Sequence, residues 1–197
     1  MLHPDKLNFY LSQFKDISAE ELLHLFSIAT VRTLPAENIF IKEGETIGKL
    51  AYIKEGLIRA FQVNEKGEEI TLLLRWEDQF IASHDTIFFQ QPSRFIYQAI
   101  EATTLLEADY SAIQDMLNSN PKLEQLRYYF VLNMLSQSMA RVESFVLLNP
   151  EERYLQLIRE KQNLLQRVPD KYIATLLGIT PVSLSRIRKR ITSRKKQ

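Results

Sequence analysis

The stretch "GITPVSLSRIRKR", Gly178 to Arg190, sets four basic side chains on a helical pattern that starts abruptly. Cations at that density do one kind of chemistry well. They grip phosphate, and an arginine can also aim two parallel N–H donors at a base edge. Gly178 supplies the left-handed position that ends the preceding helix, Thr180 reads as an N-cap, and Pro181 stands where its missing N–H does no harm. Leu184, Ile187 and Ile191 recur at i, i+3 and i+7, facing an earlier helix that carries Ile173, Ala174 and Leu177. Val182, Ser183, Arg186, Lys189 and Arg190 take the opposite face. Two short helices, a three-residue turn with glycine and a basic outer face spell a helix-turn-helix over "DKYIATLLGITPVSLSRIRKRI".

Charge is divided along the chain in the same sense. Residues 1–149 hold 13 Lys+Arg against 20 Asp+Glu, and residues 150–197 hold 12 against 4, so a net charge of +1 conceals a segment at +8. That asymmetry suits a polyanion-binding module attached to something else; a solvated basic tail is the plainer alternative. Other chemistries find little support. The absence of cysteine excludes disulfides, thiolate-held zinc, iron–sulfur clusters and thiol nucleophiles, and suits a reducing cytoplasm. His3, His24 and His84 are scattered, with His84 expected on the surface of a loop, so no metal is expected. No Walker A motif and no Gly-x-Ser-x-Gly elbow occurs. Glu151-Glu152 reads as a first-turn helix-dipole pair, not a catalytic dyad. "RYYFVL" has the spacing of a core or dimer seam. No enzyme activity and no cofactor are expected.

At 197 residues with 45% hydrophobic and 25% charged residues, the chain has length for one large domain or two modest ones. "MLHPDKLNFYLSQF" lacks a basic region followed by an apolar one, so no signal peptide is expected. No apolar run nears the ~20 residues that span a bilayer, and the expected location is cytoplasmic.

The elements that would carry the basic helix follow in order. "HPDKLNFYLSQF" reads as helix, and Ser18 with Glu21 gives a capping-box spacing for a second. "VRTLPAENIFIKEGE", "KLAYIKEGLIRAFQVN" and "EEITLLLRW" are short strands with turn signals about every ten residues, the rhythm of a β-sandwich or jelly roll. "RFIYQAIE" and "TTLLEADY" add two strands and "SAIQDMLNSN" a helix. Between Pro121 and Asn149-Pro150 the sequence predicts one long helix with two apolar lines, Leu123, Leu126, Phe130, Met134 and Leu135, Met139, Val142, Val146. So wide an apolar arc needs two surfaces, its own β domain and a second copy of the chain; a core helix of a monomer is the alternative. "PEERYLQLIREKQNLLQRV" is helical again.

Taken with "IKEGE", "YIKEGLIRAF", "NEKGEEITL" and "IATLLGITPVSLSRIRKR", this order resembles the Crp/Fnr family of bacterial transcription regulators over nearly the full length. The resemblance implies an α+β fold: a cyclic-nucleotide-binding-type β-roll at 1–119, a dimerisation helix at 120–149 and a helix-turn-helix domain at 150–197. It implies a homodimer on a pseudo-palindromic operator. Thr180 would position the recognition helix, with Pro181, Val182, Ser183 and Arg186 as base readers. Arg188, Lys189, Arg190, Arg194, Lys195 and Lys196 would meet phosphate, helped by Tyr172. RNA polymerase and a small-molecule effector stand as further partners to test; no membrane partner is expected.

Two departures from the family pattern matter. Six residues, "TSRKKQ", follow Ile191, too few for the usual wing hairpin, so the wing is absent or reduced to a basic tail. Where cyclic-nucleotide-binding relatives carry Gly-Glu and later Arg-Ser/Thr-Ala, this chain reads Ala82-Ser83 and Ser93-Arg94-Phe95. A one-residue shift on a strand turns Arg94 to the other face, and Phe95 would enter the pocket. The effector is therefore not expected to be cyclic AMP. The rival reading is a small-molecule-sensing or protein-interaction module whose basic end binds an acidic partner or RNA.

Overall fold

Short β-branched strands broken by glycine turns need a partner sheet to bury their inner faces. The computed structural model, which describes residues 4–194, supplies it. Among the described residues, eight strands make two four-stranded sheets, in the orders β1-β8-β3-β6 and β2-β7-β4-β5. They are β1 (Thr30–Leu34), β2 (Ile39–Ile41), β3 (Lys49–Glu55), β4 (Leu57–Val63), β5 (Glu69–Trp76), β6 (Phe80–Ala82), β7 (Ile96–Ala99) and β8 (Thr103–Asp109). β8 pairs antiparallel with both β1 and β3, so Leu106 lies opposite Val31 on one side and Tyr52 on the other. Helices α1 (Pro4–Gln13), α2 (Ala19–Ser27), α3 (His84–Phe89) and α4 (Tyr110–Ser119) complete this part. Ser18 accepts from the Glu21 N–H at 3.1 Å while Glu21 accepts from the Ser18 N–H at 2.8 Å, the expected capping box.

Two compact units emerge: residues 1–59 with 74–135, and residues 60–73 with 136–197. In the first, Tyr10, Phe14 and Leu22 pack with Tyr52, Leu106, Leu117, Leu123 and Leu126. Phe130 adds ring contacts to Phe80 and Tyr10, so part of "RYYFVL" is core. The second unit holds α6 (Pro150–Glu160), α7 (Leu164–Arg167), α8 (Asp170–Leu176) and α9 (Pro181–Arg194). Helix α5 (Glu124–Leu147) contributes to both.

Two local expectations need revision, and two short elements went unread. The long helix starts at Glu124, because Pro121–Leu123 form a 3-10 turn capped by Asn120, whose side chain accepts from the Lys122 N–H at 3.1 Å. The stretch after Pro150 is two helices: α6 ends at Glu160, Lys161 turns extended, and the polar "KQN" offers no apolar side chain to hold a continuous helix before buried Leu164. β6 and α3, three and six residues long, carry too short a pattern to be read from sequence.

One glycine is fixed by its surroundings. Gly56 joins β3 to β4 with φ +98°, and a Cβ there would fall 2.4 Å from Thr103 Oγ1 and 2.6 Å from Thr103 Cα. Thr103 is fully buried and accepts the Leu57 N–H at 3.1 Å, so it cannot retreat. Gly56→Ala is expected to lose about 3 kcal/mol or more of stability. The check is a urea midpoint that falls with an unchanged m-value.

Candidate nucleic-acid interface

The turn before α9 is built as its residues dictate. Gly178 has φ +69°, the Ile179 N–H donates to Ala174 O at 2.9 Å and the Gly178 N–H to Thr175 O at 3.0 Å, a complete Schellman closure of α8. Thr180 Oγ1 accepts from the Ser183 N–H at 3.2 Å, capping α9 with Pro181 as its first residue. Leu184 and Ile187 are buried on the inner face, as are Ile173, Ala174 and Leu177 on α8. The helical hairpin is fixed by packing on one side and by two caps at its turn.

Two arginines tie this hairpin down, and sequence reasoning missed both. Arg141 Nη2 donates to Leu176 O at 2.9 Å, and Arg153 donates to Leu177 O at 3.1 Å and Leu148 O at 2.6 Å. Both guanidinium groups lie over the Phe145 ring, at 5.0 and 4.6 Å. Cations at the carbonyl end of α8 answer its dipole and its orphan acceptors together.

The outer face of α9 sorts the basic residues into two groups. Pro181, Val182, Arg186 and Lys189 are exposed, Ser183 is partly covered, and the Arg186 and Lys189 side chains have no ion-pair partner among the described residues. Arg188 is different. Its Nη1 donates to both Asp170 oxygens at 2.7 and 2.6 Å, and its Nε to Tyr154 Oη at 3.1 Å. Burial opposes its charge, yet the Asp170 and Tyr154 bonds hold its pKa above the ordinary arginine value. Arg188 thus pins α9 to α6 and α8. Arg190 and Arg194 pair with Glu151 at 3.1 and 2.6 Å. Tyr172 is partly buried under the Lys171 ammonium, 4.8 Å from its ring centre. Lys195 and Lys196 lie outside the described residues.

An open groove of about 760 Å³ runs between the start of α6 and α9, lined by Asn149, Glu151, Ser183, Arg186, Arg190 and Arg194 among others. At its edge Asn149 caps α6, accepting from the Glu151 and Glu152 N–H groups at 3.0 and 3.1 Å, while Glu152 returns the bond to the Asn149 N–H at 2.8 Å. The acidic pair thus divides its work: Glu152 closes the cap and Glu151 holds the arginines.

Leu123, closing the 3-10 turn, and Leu126, on α5, are 4% and 2% exposed and belong to the core of the first unit, which removes them from a dimer seam. Phe130 packs on that core and Met134 is partly buried. Leu135, Met139, Val142 and Val146 are at least half exposed. With exposed Tyr128 and Leu132 they fall at alternating spacings of four and three, the stripe by which two helices interlock.

In the β-roll, the positions aligned with a nucleotide site are closed on themselves. Ser83 donates to Ser93 Oγ at 3.0 Å and Ser93 to Phe95 O at 2.9 Å, with both serines buried. Ala82 and Phe95 are partly buried beside them. Burial pushes the Tyr97 hydroxyl up to about 12, with a Ser83 hydrogen bond pulling the other way. Arg94 lies outside, its side chain 71% exposed, and pairs with Asp85 through Nη2 at 2.9 Å and Nε at 3.0 Å. Burial alone would raise the Asp85 pKa, but the Arg94 bonds hold it below the ordinary carboxylate value. His84 is the first residue of α3, partly buried against Phe88, not a surface loop residue; burial, then Arg75, keeps its pKa low. No cluster of three His, Asp or Glu side chains suited to a metal occurs among the described residues.

Comparison with known proteins agrees with this architecture. Residues 31–120 match the cyclic nucleotide-binding domain family. The chain is 23% identical over 126 residues to an anaerobic regulatory protein of Haemophilus influenzae, covering 62% of this chain and 47% of that one. A second such protein, from Aggregatibacter actinomycetemcomitans, is 24% identical over 136 residues, 69% of this chain and 51% of that one. The chain spans about half the length of these curated relatives. Among solved structures, FixK2 of Bradyrhizobium japonicum has a TM-score of 0.75 at 12% identity, covering 85% of this chain and 86% of that one. The c-di-GMP-responsive global regulator CLP of Xanthomonas campestris has a TM-score of 0.70 at 15% identity, covering 90% and 93%.

Proposed function

We propose that this chain, which carries a cyclic nucleotide-binding domain at residues 31–120 within a Crp/Fnr-type fold, is a homodimeric, sequence-specific DNA-binding transcription regulator. The observation that carries the reading is α9: an apolar inner face locked onto α8, and an outer face where Arg186 and Lys189 stand exposed beside Val182 and Ser183. Residues of the first turns of such a helix enter the major groove, so Pro181, Val182, Ser183 and Arg186 read bases. Lys189, Arg190, Arg194, Lys195 and Lys196 serve phosphate, and Tyr172 assists. Arg188 acts through position alone. Among the described residues no helix is long and apolar enough to cross a membrane, and we place the protein in the cytoplasm with its DNA.

The second copy sits on the exposed stripe Leu135, Met139, Val142 and Val146, presenting two α9 helices to two half-sites. Titration of a duplex carrying two symmetric half-sites is expected to saturate at two protomers per duplex. Saturation at one protomer, with no preference over a scrambled duplex, contradicts the reading.

The effector is not cyclic AMP. A bound phosphate diester needs a cation, and in this pocket Ser83 and Ser93 bond each other while Arg94 points outward to Asp85. Calorimetry is expected to detect no cyclic AMP binding below about millimolar concentration, where the binding free energy falls to roughly 4 kcal/mol. A low-micromolar dissociation constant contradicts this account of the pocket.

A further inference from the structure

We propose that Glu151 is a built-in competitor for DNA phosphate, occupying Arg190 and Arg194 and so setting how tightly, and how steeply with salt, the protein grips any duplex. The inference rests on the DNA-binding reading of α9 above. Glu151 Oε2 lies 3.1 Å from Arg190 Nη1 and Glu151 Oε1 lies 2.6 Å from Arg194 Nη1. The two arginine side chains are 54% and 67% exposed, whereas the carboxylate between them is 15% exposed. It is the sheltered partner, and the cations are the ones that face solvent and any incoming polyanion.

Three features mark the contact as more than an incidental surface pair. Glu152 already completes the cap of α6, so the cap does not require Glu151. The first turn of a helix favours a negative charge, so Glu151 is held in place without the arginines. And the cations of α9 other than Arg188 divide by this residue: Arg186 and Lys189 have no acid partner among the described residues, while Arg190 and Arg194 share one carboxylate. A phosphate approaching Arg190 or Arg194 must therefore displace an ion already bound there. The two arginines and the glutamate carry +1 together and would carry +2 with a glutamine in its place.

The consequence is uniform. Phosphate contacts carry no sequence information, so removing the competitor strengthens specific and scrambled duplexes alike. Exposed ion pairs are weak, and releasing two per protomer is expected to raise affinity a few-fold per protomer, about tenfold for a dimer. The one net positive charge gained per protomer steepens the log–log salt slope by about 0.9.

The test is salt titration of the full chain on a symmetric duplex and a scrambled one, comparing the unmodified protein with Glu151→Gln, and both with a version carrying Arg190→Ala and Arg194→Ala. Circular dichroism confirms that each variant is folded. Tighter binding by Glu151→Gln on both duplexes, a steeper slope, and loss of both effects in the double-arginine background support the proposal. Equal or weaker binding by Glu151→Gln overturns it, as does a gain that survives removal of the arginines. If neither protein binds any duplex, the regulator reading itself fails; binding by the unmodified protein without a gain in Glu151→Gln removes only the competitor.

Discussion

Leu135→Glu is expected to convert the protein from dimer to monomer and to weaken DNA binding at least a hundredfold. Leu135 is 55% exposed in the protomer, within the stripe that runs from Tyr128 and Leu132 to Met139, Val142 and Val146. A two-fold interface would set the new carboxylates against one another or against apolar side chains, and burying an unpaired charge costs about 3–5 kcal/mol. The protomer itself is expected to be indifferent. Leu135 is more than half exposed, and glutamate forms helix nearly as well as leucine. Sedimentation gives the mass, circular dichroism the unchanged helix content, and duplex titration the lost affinity. A half-site protein without its partner keeps only one recognition helix. Sedimentation of the unmodified protein as a monomer at micromolar concentration contradicts the seam.

Arg186→Ala is expected to lower affinity for the specific duplex by about 1–3 kcal/mol per half-site and to relax preference at one symmetric base pair. Arg186 stands one turn into α9, exposed, while Leu184 and Ile187 beside it are buried. From there two parallel N–H donors would be placed to meet guanine O6 and N7. Lys189→Ala serves as the contrast: a lone ammonium on phosphate weakens all duplexes alike and lowers the salt slope by roughly 1 per protomer. Equal losses on specific and scrambled duplexes for Arg186→Ala would make it a phosphate clamp, not a reader.

The helix-turn-helix was legible because its signals are local. Gly178, Thr180 and Pro181 each act within a few residues, and Leu184 and Ile187 announce a buried face by spacing alone. The capping box at Ser18 was legible for the same reason, whereas at Asn149 only the helix stop was read. What escaped depends on partners far along the chain. Arg141 reaches a carbonyl 35 residues away, Arg188 an aspartate 18 away, and Arg194 a glutamate 43 away. Nothing in the spacing of "RIRKR" distinguishes an arginine free to meet DNA from one already engaged. On α5 the apolar content was plain but its division was not. Leu123 and Leu126 turn into the core because the first unit closes over them, and the free stripe begins nearer Tyr128.

Selection of bound duplexes from a random pool addresses DNA recognition, symmetry and the role of α9 together. Two recognition helices related by a two-fold axis read half-sites about one helical turn apart, ~10–10.5 bp from centre to centre, or a multiple of it. The expected outcome is an enriched, inverted-repeat sequence with that spacing, containing a guanine in each half-site whose preference disappears in the Arg186→Ala protein. A pool that emerges without enrichment, or with a single unpaired element, contradicts a dimeric sequence-specific regulator.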